Sequence, residues 1–201
     1  MKQTDITNLM EGLKKLANFW QSTGINPLDN YAWRELMQIY ELKALLPSIK
    51  KVPGRDGKDA EALAEGYQNI EFKSNQFKAE TPKKKIKRKL KWPSIVLDMS
   101  KADGEKNPYK WQGFGHSVFN TNGDLIPLAS FFITKDHIEK LHPLWDETIE
   151  NYTKAKQKRK ASGKKVGDQR AYIKLSQFLE YVDEKDIIWF KDGVKVDSVL
   201  L

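Results

Sequence analysis

The chain has 201 residues, enough for one domain with a sizeable core. Lys and Arg number 35 against 27 Asp and Glu, a formal charge of +8, while six tryptophans and nine phenylalanines supply apolar bulk that a disordered composition lacks. The absence of cysteine excludes disulfides, thiolate metal sites and cysteine nucleophiles, and fits a reducing cytoplasm.

Met1-Lys2-Gln3-Thr4-Asp5 leads into an amphipathic pattern rather than a signal-peptide run, and no window has the length of a transmembrane helix. A soluble intracellular protein with no membrane partner is expected. Over 5–22, Ile6, Leu9, Met10, Leu13, Leu16, Ala17 and Trp20 recur at helical spacing, with Thr4 or Asp5 as N-cap. Gly24 and Asn26-Pro27 break the pattern. A second helix is expected over about 30–46, presenting Trp33, Leu36, Met37, Tyr40 and Leu45 and stopped by Pro47. Glu35 on that helix is either a solvated glutamate or a further acid for a site.

Val52 is followed by Pro53-Gly54-Arg55-Asp56-Gly57-Lys58-Asp59-Ala60, and then by Ile70-Glu71-Phe72-Lys73-Ser74. If 60–64 forms one strand and Glu65-Gly66-Tyr67 the turn, Asp59 lies beside the next strand. On that strand Glu71 and Lys73 share one side, while Ile70 and Phe72 point into the core. Two carboxylates so arranged can hold magnesium, which prefers oxygen ligands and keeps several waters. Lys73 would sit beside the attacking water and stabilise charge developing on a phosphate oxygen. A half-exposed strand with a solvated charged face reads the same way. A phosphate-binding loop does not fit, because Asp59 follows Lys58 where that loop needs Ser or Thr.

The segment resembles the PvuII-like type II restriction endonucleases of the PD-(D/E)xK nuclease family, in which Pro-Gly-Arg-Glu-Gly-Asn-Asp-Ala leads into Tyr-Glu-Leu-Lys-Ser. The matching residues are Pro53, Gly54, Arg55, Asp56, Gly57, Asp59 and Ala60, then Glu71, Lys73 and Ser74. The match is close over 53–74, and the order of elements is similar over most of the chain. The resemblance implies that Asp59 and Glu71 are ligands of Mg2+, Lys73 the catalytic lysine and Asp56 an acidic neighbour in the catalytic centre. It also implies a mixed α/β fold of restriction-endonuclease type, a central mixed sheet flanked by helices with further helices at the N-terminus. The single endonuclease domain would divide into a helical dimerisation region (1–50), a catalytic core (51–150), and a basic loop with C-terminal strands for DNA recognition (151–201). The activity implied is magnesium-dependent cleavage of double-stranded DNA at a short palindromic site, by a homodimer in a prokaryotic cytoplasm. A non-catalytic nucleic-acid-binding protein, and a nonspecific or repair nuclease on the same core, remain as alternatives.

The positive charge is concentrated in two runs. Lys83, Lys84, Lys85, Lys87, Arg88, Lys89 and Lys91 form the first, where the PvuII-like enzymes carry a histidine-rich recognition segment. Lys154, Lys156, Lys158, Arg159, Lys160, Lys164 and Lys165 form the second, interrupted by the Ser162-Gly163 turn. Solubilising loops are one reading and phosphate contacts the other, with Lys83, Lys84, Lys85, Arg88, Lys158 and Arg159 as DNA-binding candidates. Between the runs, Ser94-Ile95-Val96-Leu97 reads as a strand, and 115–119 and 125–133 as a hairpin about Asn122-Gly123. Thr134 then opens a helix carrying Ile138, Leu141, Leu144 and Trp145. Two apolar stretches, 171–179 and 187–190, and an Asp192-Gly193 turn complete the chain.

Gln169 and Arg170 stand where the resembling enzymes place base-reading residues, and their side chains suit adenine and guanine respectively. An ion pair between Asp168 and Arg170 is the alternative. His137 and His142 miss the spacing of a helical metal pair, and His116 is expected to be structural at a strand edge. Trp92 and Trp111 are candidates for base stacking or, more simply, for packing.

Overall fold

The computed structural model of the chain describes residues 3–23, 30–52, 58–77, 92–98, 107–120, 127–163 and 170–198. Helices α1 (Gln3–Thr23) and α2 (Asn30–Leu42) come first, followed by strands β1 (Lys50–Lys51), β2 (Ala60–Ala62), β3 (Tyr67–Phe77), β4 (Ile95–Asp98), β5 (Gly113–Asn120) and β6 (Ala129–Ile133). Helices α3 (Lys135–Ile138) and α4 (His142–Ala161) precede β7 (Arg170–Ile173), α5 (Leu175–Phe178), β8 (Ile187–Lys191) and β9 (Val194–Val196). The fold is mixed α/β. Seven of the described strands form one mixed sheet in the order β1-β2-β3-β5-β6-β8-β9, and β4 with β7 forms a separate antiparallel ribbon. Only the β3–β5 pair is parallel within the described ladders; the other neighbours are antiparallel.

Local chemistry explains the connections. Leu63–Glu65 forms a 3-10 turn that closes on Gly66 at φ 79°, a left-handed conformation that glycine adopts without steric cost, so β2 returns directly as β3. Asp192 (φ 51°) and Gly193 (φ 79°) supply the two positive φ angles that a tight hairpin between β8 and β9 requires. Asn107 caps a short turn at Pro108–Lys110, its Oδ1 accepting from the Tyr109 N–H at 3.0 Å. The helix expected after Thr134 does form, but a 3-10 step at Glu139–Leu141 separates α3 from α4. Pro143 cannot donate to the Glu139 carbonyl and its ring crowds it, which accounts for the step.

Both faces of the sheet are covered. On one, Ile39 and Leu42 of α2 pack with Leu46, Ile49, Ile70, Phe72, Phe132 and Phe190. On the other, Phe114 and Phe131 pack with Trp111, Leu144 and Trp145, and with Ile95 and Ile173 from the two-stranded ribbon. Gly113 and Gly115 make this tight stacking possible, since a Cβ on Gly115 would lie 2.7 Å from the Phe72 ring. None of the described helices is long and apolar enough to cross a membrane.

Four expectations change. The second helix ends at Leu42 rather than 46, because the chain turns through Leu45 and Leu46, whose N–H groups both close on the Leu42 carbonyl ahead of Pro47. Its buried positions include Gln38, Ile39, Glu41 and Leu42, while Tyr40 is 73% exposed. The expected basic loop is helical through Ala161, since Lys, Arg, Gln and Ala favour helix and nothing breaks it before Gly163 at φ 68°. His116 is not at a strand edge: β5 lies between β3 and β6, and the imidazole is fully buried. The Asn122-Gly123 turn lies outside the described residues, although the β5–β6 hairpin is present.

Candidate catalytic centre

Strand alternation on β3 sends Ile70 and Phe72 into one core and turns Glu71, Lys73 and Asn75 to the opposite face. β2 pairs with β3 only as far as Ala60 opposite Ile70, where the Asp59 N–H still reaches the Ile70 carbonyl at 3.2 Å. One step further, Asp59 takes over from the ladder. Its Oδ2 accepts from the Phe72 N–H at 2.7 Å, satisfying a donor that a continued β2 would otherwise have met. The aspartate is thereby fixed against the peptide that joins Phe72 to Glu71.

Glu71 is 1% exposed, which corrects the picture of a half-solvated strand face. Both faces of β3 are covered, and an ionised carboxylate in such a place needs a compensating cation. Lys73 provides one, its ammonium forming an ion pair with Glu71 Oε1 while its side chain stays 22% exposed. The structure therefore brings Asp59, Glu71 and Lys73 together at the point where β3 loses its β2 partner. Gln38 on α2 braces the same stretch from behind, its Nε2 donating to the Lys73 carbonyl at 2.9 Å.

Asp59 and Glu71 offer oxygen donors of the type a magnesium ion takes. Among the described residues no group of three or more His, Asp and Glu side chains is placed to hold a metal, so the protein would contribute two carboxylates and leave other positions to water or phosphate oxygens. That donor set fits a magnesium ion that keeps several waters, and does not resemble a closed structural cage.

Neighbouring charges are committed elsewhere. Lys58 and Lys50 hold Glu61 at 2.6 and 3.1 Å, and those bonds keep its carboxyl below the usual range. Glu35 pairs with Lys51 and is partly buried, which replaces the solvated reading. Asp56 lies outside the described residues, as do Lys83, Lys84, Lys85, Arg88 and Gln169. Lys158 and Arg159 are exposed in the last turn of α4, and Arg170 is exposed at the start of β7, opposite Asp98 of β4. Trp92 and Trp111 are buried packing residues.

Around Lys73, sequence reasoning passed over Asn75 and assigned no role in the site to His116, read as structural, or to Trp92, read as stacking or packing. His116 lies opposite Lys73 in the parallel register and is enclosed by Trp92 and Phe131. Burial first, and the Lys73 ammonium second, push its pKa down to about 3, so the ring is neutral at physiological pH. Trp92 Nε1 donates to His116 Nδ1 at 3.0 Å, and His116 Nε2 meets Asn75 Oδ1 at 2.7 Å. Asn75 was accessible to the period-two argument that singled out Glu71 and Lys73; Trp92 and His116 carry no such local signal.

Compared with known proteins, the chain matches no family model and no curated sequence.

Proposed function

We propose that the protein is a magnesium-dependent type II restriction endonuclease of the PvuII-like kind within the PD-(D/E)xK nuclease family, acting on double-stranded DNA as a homodimer. The observation that supports the reading is that Asp59 is bound to the Phe72 N–H, on the strand segment whose Glu71 and Lys73 pair with each other. In hydrolysis a water oxygen attacks phosphorus and the bond to the leaving oxygen breaks, the nucleophile's proton passing to solvent and the leaving oxygen taking one up from solvent. Asp59 and Glu71 would hold the ion, and Lys73 would donate to a non-bridging oxygen as charge builds there. A bound magnesium supplies Lewis acidity and a coordinated water of lowered pKa. Lys158 and Arg159 add sequence-independent attraction to phosphate, and Arg170 is the base-reading candidate within the described residues. An isologous dimer matches the two-fold symmetry of a palindromic site, each subunit cutting one strand.

The test is incubation with supercoiled plasmid in magnesium and, separately, in EDTA. Discrete fragments that need magnesium are expected. A smear would move the protein to the nonspecific or repair nucleases, and intact DNA of retarded mobility would make it a non-catalytic binder.

A further inference from the structure

We propose that Asn75 is a further residue of the cleavage machinery, donating from its carboxamide to a phosphate oxygen of the bound DNA and held in that orientation by His116 and Trp92. The inference rests on the nuclease reading above, and it concerns a residue outside the matching segment 53–74.

Asn75 is two residues beyond Lys73 on β3, which puts it about 7 Å further along the same face. It is half-buried rather than sealed in. A backbone that reaches Lys73 and continues along the strand meets Asn75 next.

Orientation follows from which atoms can donate. The Trp92 indole nitrogen is a donor only, so the His116 Nδ1 it meets at 3.0 Å must accept. A neutral imidazole carries its one proton on the other nitrogen, so Nε2–H donates, and the Asn75 atom 2.7 Å away must be the carbonyl oxygen Oδ1. With one end of a planar amide fixed, the Nδ2 group is directed away from His116. Its two N–H donors meet no side chain in the described hydrogen bonds. Burial and the Lys73 charge keep His116 neutral, so the chain of bonds does not reverse near neutral pH. The result is an uncharged donor held in one orientation on the strand face that also carries Lys73, a pairing that a phosphate with negative charge spread over several oxygens can use.

A purely structural Asn75 would need only its carbonyl, to finish the hydrogen bonds of His116. Asn75→Asp separates the two roles, because aspartate keeps an acceptor for His116 but has no donors and carries a negative charge toward phosphate. Cleavage rate at saturating plasmid, kcat/KM, duplex affinity without divalent ion, and Tm are measured for wild type, Asn75→Asp, Asn75→Ala and Asn75→Ser. Expected are a loss of about 10²-fold in rate for Asn75→Asp at nearly unchanged Tm, a loss for Asn75→Ala, and partial recovery in Asn75→Ser, which restores one donor. Wild-type cleavage by a folded Asn75→Asp protein would overturn the inference and leave the nuclease reading standing. If Asn75→Asp does not fold, Asn75→Ser cutting no faster than Asn75→Ala has the same consequence. A wild-type protein that cuts no plasmid in magnesium removes both.

Discussion

Glu41 lies on α2 in a small cavity against the sheet, with Gln38, Ser117 and Ser130 around it, and is 7% exposed. Burial raises its carboxyl from 4.5 to about 7, opposed only in part by the Ser130 hydroxyl. The folded state therefore holds a proton that the unfolded chain releases near pH 4.5. The contribution of Glu41 to stability is fully present below that value, declines as pH rises between 4.5 and about 7, and stays lost above it. The interval corresponds to about 3 kcal/mol at the alkaline end. Glu41→Gln keeps the shape and stays neutral, so it should stabilise the protein at pH 8 by up to that amount, or roughly 6–12 °C in Tm for a chain of this size. At pH 4 the two proteins should unfold together. Urea unfolding of both at pH 4, 6 and 8 measures the effect. A stability difference independent of pH, or a weaker Glu41→Gln protein at pH 8, would refute the reasoning.

Two further outcomes follow from the geometry. Gly115→Ala drives a methyl to within 2.7 Å of the Phe72 ring and should cost about 1–3 kcal/mol in urea unfolding, with a matching loss of cleavage because Phe72 lies between Glu71 and Lys73. Replacing Lys158 and Arg159 with glutamine, both exposed in the last turn of α4, should lower Tm only slightly, through lost helix-dipole attraction, and lower the log–log salt slope of DNA binding by about 2; an unchanged slope would remove that helix end from the DNA interface.

The parts of the fold that were legible in the sequence are those governed by local rules. Gly66 and Asp192-Gly193 need left-handed backbone, and their hairpins form there. The segment with Ile138, Leu141, Leu144 and Trp145 buries those four residues, as their spacing implied, although a 3-10 step divides it. The Asp59 alignment with β3 was legible too, because a short β2 and a tight turn leave the aspartate little choice of neighbour. What local pattern could not reveal is which polar residues the tertiary structure encloses. A reading that assigns polar side chains to solvent puts Tyr40 inside and Glu41 outside, and the reverse is found because α2 packs over serines of the sheet. For the same reason Glu71 is enclosed rather than half-solvated, and His116, distant in sequence from Asn75 and Trp92, is bonded to both.

The role given to Lys73 is tested most directly by Lys73→Ala, assayed for plasmid cleavage in magnesium and for duplex binding in EDTA. The variant should bind DNA within a few-fold of wild type and leave the plasmid intact. A folded Lys73→Ala protein that cuts at the wild-type rate would contradict it.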